Sequence, residues 1–413
     1  MSSEMNTPFN VLLPAARVDL FTQDAQTRKT FEALASDWRF ARIELTVYEG
    51  GADEAIETYK TQDSAALVII QTEIIEKEFT DKLEVLAEYC IEGTAAMVIG
   101  PVNDVNLYRH LIGMGVSDYL VKPLNEEQFS QDIGQNLLQR MGTSESRLIV
   151  TLGAKGGVGA TSLAQMMAQV SSDQLKQKTF LCDAAGGWSS MAVALDFEPS
   201  STMADILHLA QENKTENLAR LYFQVNERLT VPLSGSDKML DDRIDVTEYE
   251  NYIDQLMQTY PVVIVDLSSA SPHLKQTMMQ RANVVYLITA PSLTSVRAAR
   301  SLMHEVSDLR GGALNNVHLV LNMQGTAPKF EVSKADIEEG LGAKVAASIP
   351  FAPQVFLQAE AGTKKIADDK EGSAILSQVH QLLGLSINVL PSHAIEGRKS
   401  APIGKILGKI TGK

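Results

Sequence analysis

One run constrains this chain more than any other: Ala154-Lys155-Gly156-Gly157-Val158-Gly159-Ala160-Thr161-Ser162. The apolar stretch Leu148-Ile149-Val150-Thr151-Leu152 precedes it, and Leu163, Met166, Met167 and Val170 follow at helical spacing. Strand, glycine loop and helix in that order are what a phosphate-binding loop requires. The glycines let successive backbone N–H groups face one point, and the helix N-terminus adds its positive end. Such a loop ordinarily carries a lysine directly before the hydroxyl residue, where it reaches the β- and γ-phosphates. Ala160 stands there instead, and Lys155 sits near the start of the loop. The bland alternative, a glycine-rich turn that binds nothing, leaves the flanking strand and helix without a purpose.

The run resembles the deviant P-loop of the MinD/ParA group, K-G-G-x-G-K-[ST]. That resemblance implies that residues Lys155, Gly156, Gly157, Val158, Gly159, Ala160, Thr161 and Ser162 bind ATP or ADP. It also implies a homodimer, with Lys155 reaching across to the partner's nucleotide, and Thr161 as the hydroxyl on the Mg²⁺ side. Loss of the second lysine predicts weak or absent hydrolysis.

A length of 413 residues suggests two or three domains, and 45% hydrophobic with 21% charged residues is a globular composition. The net charge of −15 argues against broad nucleic-acid binding, which needs a basic field. Cys90 and Cys182 are far apart and lie in apolar patterns, as reduced buried thiols of a cytoplasmic protein do. Neither a signal peptide nor an 18-residue apolar run is visible. The expectation is a soluble protein, at most peripheral to a membrane.

Residues 1–14 lack periodicity and read as a flexible arm. From 15 to 141 strands and helices alternate, with strands expected at 17–21, 42–47, 65–71, 95–100 and 116–121. Helical patterns fall near 25–37, 52–61, 79–90, 104–114 and 125–140. Five β/α units predict a doubly wound parallel sheet. The segment Gly115 to Leu124, with its Lys122-Pro123 ending, resembles the last strand of a response-regulator receiver domain. On that resemblance the phosphoacceptor aspartate belongs at Gln71, and the hydroxyl of the fourth strand belongs near Gly100. Both are missing, and only Asp24 follows the first strand. An amide cannot accept a phosphoryl group as a carboxylate does, and Mg²⁺ lacks its hard oxygen ligands. The reading is an atypical receiver-like domain that has kept its fold and lost its chemistry. Lys122 and Asp24 are then ordinary surface or loop charges. Residues 142–147, small and polar, read as a linker.

The second domain, 148–390, continues the alternation. Asp183 closes the strand 178–183 and can hold a water on Mg²⁺. The MinD/ParA strand ends D-x-D, and Ala185 takes the second acidic position, where it can neither orient nor polarise water. Val262-Val263-Ile264-Val265-Asp266 is a buried parallel strand that delivers a carboxylate at its C-terminal end, where ligands bind in such sheets. Lys155, Asp183 and Asp266 are therefore the catalytic candidates, with Thr161 on Mg²⁺ and both aspartates acting through water. Residues 268–273 read as a nucleotide-sensing switch, with His273 structural. The resemblance places Asn322 on the adenine edge and Pro350 and Phe351 over the base. Arg297 and Arg300 mark a helix that is either a partner face or simply solvated.

The run Met191 to Pro199, followed by Thr202-Met203-Ala204-Asp205-Ile206-Leu207, is similar to the CpaE/TadZ proteins of tight-adherence pilus assembly. These join a receiver-like domain to a MinD/ParA-like one in the order seen here. The resemblance implies a flavodoxin-like (receiver-like) domain followed by a doubly wound, mostly parallel P-loop NTPase domain. It also implies a dimerising factor that positions pilus or secretion machinery at the inner membrane or a cell pole. Its partners would be a secretion ATPase, inner-membrane assembly components or a polar landmark protein, with no specific nucleic acid. The alternative is an active ParA/MinD-type ATPase cycling between partner surfaces. In the tail, 391–413, Ile403, Ile406, Leu407 and Ile410 alternate with lysines. It is either an amphipathic segment for peripheral membrane contact or a disordered end.

Overall fold

The structure is a computed structural model that describes residues 11–74, 76–140, 142, 146–185, 187–212, 214–235, 244–362, 365–384 and 387. The basic tail 391–413 lies outside the described residues, as do residues 1–10 of the expected arm and 388–390 of the second domain.

The first domain holds strands β1 (Ala16–Thr22), β2 (Ile43–Glu49), β3 (Leu67–Gln71), β4 (Ala95–Gly100) and β5 (Asp118–Val121). Between and after them run α1 (Ala25–Ala33), α2 (Ala52–Tyr59), α3 (Lys77–Tyr89), α4 (Val105–Gly113) and α5 (Glu126–Arg140). All strand pairs are parallel, in the order β2-β1-β3-β4-β5. Leu67 to Gln71 are all buried because helices cover both faces. Phe79, Leu83 and Leu86 of α3 pack on one face with α2 and α4; Phe31 and Phe129 of α1 and α5 pack on the other.

The arm ends earlier than its lack of periodicity suggests. Val11, Leu12 and Leu13 are at most 6% exposed, and the Leu12 N–H donates to the Gln280 carbonyl of the second domain at 3.0 Å. Three apolar residues are too few to show a period, yet Leu13 packs into the first domain's core and Leu12 reaches the second domain. The linker is also shorter than expected. Ser146 donates its hydroxyl to the Tyr260 carbonyl at 2.7 Å, and Arg147 already belongs to a strand.

The second domain contains β6 (Arg147–Gly153), α6 (Ala160–Asp173), β7 (Thr179–Asp183), α7 (Ser190–Ala194), α8 (Met203–Gln211) and α9 (Thr215–Ala219). The hairpin β8 (Tyr222–Asn226) and β9 (Leu229–Pro232) follows, then α10 (Val246–Thr259), β10 (Val262–Asp266) and α11 (Pro272–Arg281). Next come β11 (Val284–Thr289), α12 (Leu293–Leu309), β12 (Val317–Gln324), α13 (Lys334–Leu341) and β13 (Val345–Pro350). The last helices are α14 (Pro353–Glu360) and α15 (Lys370–Gly384). The strands form one sheet, β13-β12-β11-β6-β10-β7-β9-β8, parallel except for the edge hairpin β8-β9. β6 lies between β10 and β11: the chain runs from it toward β7 and later crosses back from β10 to β11, a reversal that opens a crevice at the C-terminal end of β6. Leu163, Met166, Met167 and Val170 bury the inner stripe of α6, as their spacing predicts. The Thr202…Asp205 pair is a reciprocal capping box at the start of α8, which gives that stretch a structural purpose of its own.

Candidate nucleotide site

Helix α6 starts without a side-chain cap, as α2, α3, α9 and α14 also do, but it alone of these follows the glycine loop. Helices α1, α4, α7, α8 and α10 to α13 are each capped by a side-chain oxygen at the N-terminus. Helix α6 has Gly159 at its cap, at φ +85°, and no side-chain cap bond. Its first N–H groups therefore have no side-chain oxygen to satisfy them, and an anion fits that deficit. The loop before it is exposed at Lys155, Gly156 and Gly157. A Cβ at Gly156 or Gly157 meets nothing within 4 Å, so the cradle is open on its outer side. Lys155 makes no ion pair with another described residue, and its amine is free to reach outward.

The acidic side of the site is built on neighbouring strand ends. Asp183 of β7 and Asp266 of β10 are register partners, and both are buried. Thr161 donates its hydroxyl to Asp266 Oδ2 at 2.5 Å. Ser268 gives Asp266 Oδ1 its hydroxyl at 2.6 Å and its N–H at 3.1 Å. Asp183 accepts the Ala185 N–H at 2.9 Å and a very short bond from the Ser189 hydroxyl. Burial pushes the Asp183 carboxyl up to about 7, helped by the charge on Asp266 and opposed by the Ser189 and Ala185 bonds.

Thr161 and Asp266 supply a hydroxyl and a carboxylate beside an uncapped helix start, and Asp183 adds a second carboxylate. This is an all-oxygen donor set, hard enough for Mg²⁺. These residues fit a magnesium nucleotide. When bound, the metal supplies charge neutralisation at the phosphates. Ala160 is 5% exposed and Ala185 6% exposed, and neither methyl side chain can bond a phosphate or orient water.

A pH dependence follows. An unfolded aspartate ionises near 3.8, whereas folded Asp183 keeps its proton to about 7. Between those values the folded state binds more protons, so stability falls as pH rises through that window. Without metal or nucleotide, Asp183→Asn should remove a slope of roughly 1 kcal/mol per pH unit between pH 5 and 7. Thermal unfolding at three pH values checks this; an unchanged slope counts against it.

Asn322, expected at the adenine edge, donates its amide to the Val158 carbonyl at 2.8 Å. It thus fastens the loop to β12 in this structure, which leaves its carbonyl oxygen for other contacts. Pro350 is the register partner of Gln324, and the Phe351 N–H donates to the Gln324 carbonyl at 2.8 Å. Asn322, Pro350 and Phe351 therefore share one corner, with the Phe351 ring 42% exposed. Ser189, on Asp183, and Thr151, 3.4 Å from Asp266 Oδ1, are site residues that no motif marks, while Ser268 opens the expected switch. In the run Asp266-Leu267-Ser268-Ser269 a serine two places on bonds back to the aspartate.

At the corresponding edge of the first sheet, Gln71 is buried and accepts the Thr22 hydroxyl at 3.0 Å. Its amide donates to Glu73 at 2.7 Å, and Glu73 also takes a very short bond from Lys122. Asp24 caps α1 and lies 4.0 Å from Lys122. These two were expected to be ordinary surface charges. Asp24 caps a helix and Lys122 pairs with exposed Glu73, and the strand ends bring these charges into one polar cluster.

No protein-family model matches the chain. A curated relative, a putative septum site-determining protein MinD from Emiliania huxleyi, is 23% identical over 261 residues, covering 59% of this chain and 90% of that protein. The crystal structure of a ParA family ATPase from Chlorobium tepidum aligns with a TM-score of 0.50 at 18% identity, covering 58% of this chain and 98% of that one. A putative CpaE2 pilus assembly protein from Sinorhizobium meliloti is 38% identical, covering 29% of this chain and 98% of its own, with a TM-score of 0.28.

Proposed function

Starting from the MinD/ParA-family ATPase fold of the second domain, we propose that this chain is an adenine-nucleotide-binding assembly factor whose partners read occupancy rather than turnover. One observation carries the reading: an uncapped helix start and an open glycine cradle face a hydroxyl–carboxylate pair. The two groups best suited to accelerate hydrolysis are replaced by Ala160 and Ala185. Residues 155–162 hold the phosphates, Thr161 and Asp266 the metal, and Asn322, Pro350 and Phe351 the base.

Dimerisation across the nucleotide face follows from what surrounds the loop. Trp188, Val193, Leu293, Phe330, Phe351 and Leu357 are 42–88% exposed, and each comes after the C-terminal end of a strand. In a parallel sheet those ends share one edge, so the segments that carry these side chains start on the same side as Lys155. Exposed apolar surface of this kind marks association sites. A nucleotide bound between two copies stabilises the dimer by mass action.

The order of the two domains and the run from Met191 to Leu207 support assignment to the CpaE/TadZ type. Its task is then to position pilus or secretion machinery at the inner membrane or a cell pole. Among the described residues no helix is long and apolar enough to cross a membrane. The second reading, a cycling ParA/MinD-type ATPase, draws on the intact Thr161–Asp266 pair. Sedimentation of the full chain with and without ATP and Mg²⁺ tests the proposal. A shift from one copy to two, abolished by Lys155→Ala, is expected. A single mass at saturating nucleotide counts against it.

A further inference from the structure

Helix α11 joins the nucleotide site to the boundary with the first domain. Its N-terminus lies six residues beyond Asp266, where Ser271 caps it by accepting the Leu274 N–H at 3.3 Å. The intervening loop is fastened to the site through Ser268, which bonds the same carboxylate that holds Thr161.

The other end of α11 is gripped from several directions. Gln280 accepts the Leu12 N–H at 3.0 Å. Arg310, fully buried, donates to the Met279 carbonyl at 2.7 Å and the Ala282 carbonyl at 3.0 Å. The Trp38 ring of the first domain lies 5.7 Å from that guanidinium. Its indole is so close to Gly311 that a Cβ there would fall 2.4 Å from Trp38 Cδ1. Arg281 pairs with Asp254 and donates to the Glu250 carbonyl at 3.2 Å. Arg42 of the first domain pairs with Glu250 in turn. A ten-residue helix is a rod of about 15 Å, and the last turn of this one is set in the domain boundary.

We propose that α11 transmits the state of the nucleotide site to the receiver-like domain, through the Arg42–Glu250–Arg281 chain and the Trp38–Arg310 stack. The proposal rests on the nucleotide reading above. Coupling needs contacts that differ between two states. Here the differing contact is at the Asp266 carboxylate, which accepts from Thr161 and Ser268 and would turn toward a metal held between it and the Thr161 oxygen. Asp266 then reorients, Ser268 follows its carboxylate, and α11 shifts against Leu12, Trp38 and Arg42. The degenerate phosphoacceptor site suits a domain that receives its signal through this route.

Hydrogen–deuterium exchange on the full chain, with and without ATP and Mg²⁺, tests the proposal. In the wild type, protection should change both at 153–162 and at 34–44. In Arg42→Ala the loop should still respond while the change at 34–44 is clearly reduced, the Trp38–Arg310 stack being left in place, and ATP affinity should change about fivefold. Glu250 keeps Arg281 at 3.8 Å in that variant, so no buried charge is orphaned. Arg28→Ala, which removes the exposed Arg28–Glu32 pair, should behave as wild type. Thr161→Val without nucleotide should alter exchange at 34–44 by itself. A protected loop with 34–44 unmoved in the wild type, or a full response in Arg42→Ala, overturns the coupling. An unprotected loop at saturating ATP overturns the nucleotide reading and this proposal with it.

Discussion

Replacing Gly159 with valine should lower ATP affinity at least a hundredfold, about 2.7 kcal/mol. Gly159 sits at φ +85°, a conformation that a β-branched residue adopts only under strain. An added Cβ would lie 2.4 Å from Asn322 Nδ2. Asn322 must then swing away and give up its bond to the Val158 carbonyl. The substitution therefore disturbs the helix start and the β12 tether together, and both aim the loop. Gly156→Ala is the control, since its Cβ meets open space and its φ is ordinary. Titration with a fluorescent ATP analogue should show that variant within a few-fold of wild type. Equal losses at both positions would contradict this account of the loop.

The opposite result is expected from Ala160→Lys. Ala160 is the first residue of α6, beside the uncapped N–H groups. A lysine there is a charge-assisted donor for the phosphates, and such bonds contribute about 1.5–3 kcal/mol. Affinity for ATP should rise about tenfold or more, with a smaller gain for AMP, which has a single phosphate. Hydrolysis should rise less than binding, because Ala185 still leaves the water unpositioned. Calorimetric titration of ATP, ADP and AMP distinguishes this from a general effect of added charge. Equal gains for all three nucleotides would count against the phosphate geometry.

Much of this arrangement was legible in the residues themselves. Continuous apolar runs such as Val262 to Val265, all β-branched, read as buried parallel strands, and they brought Asp183 and Asp266 to one edge. The glycine run located the loop for the same reason: few other structures need three glycines between a strand and a helix. What stayed hidden was long-range. Thr161 and Asp266 are 105 positions apart, and Val158 and Asn322 are 164 apart. No local period records such pairs, since they exist only after the strands are ordered in the sheet. The Asn322 tether to the loop is such a pair, beside its expected place at the base. The burial of Val11 to Leu13 was invisible because distant parts of the chain cover them: Leu13 joins the first domain's core and Leu12 bonds the second domain.

The central claim is that the site holds nucleotide and does little else with it. Saturable ATP binding and phosphate release, measured on one preparation of the wild-type chain with Mg²⁺, test it most directly. Binding at micromolar to millimolar ATP with turnover far under the ~1 per second at the low end of typical enzymes is the predicted result. Phosphate release at or above that rate, or a site still empty at millimolar ATP, would contradict it.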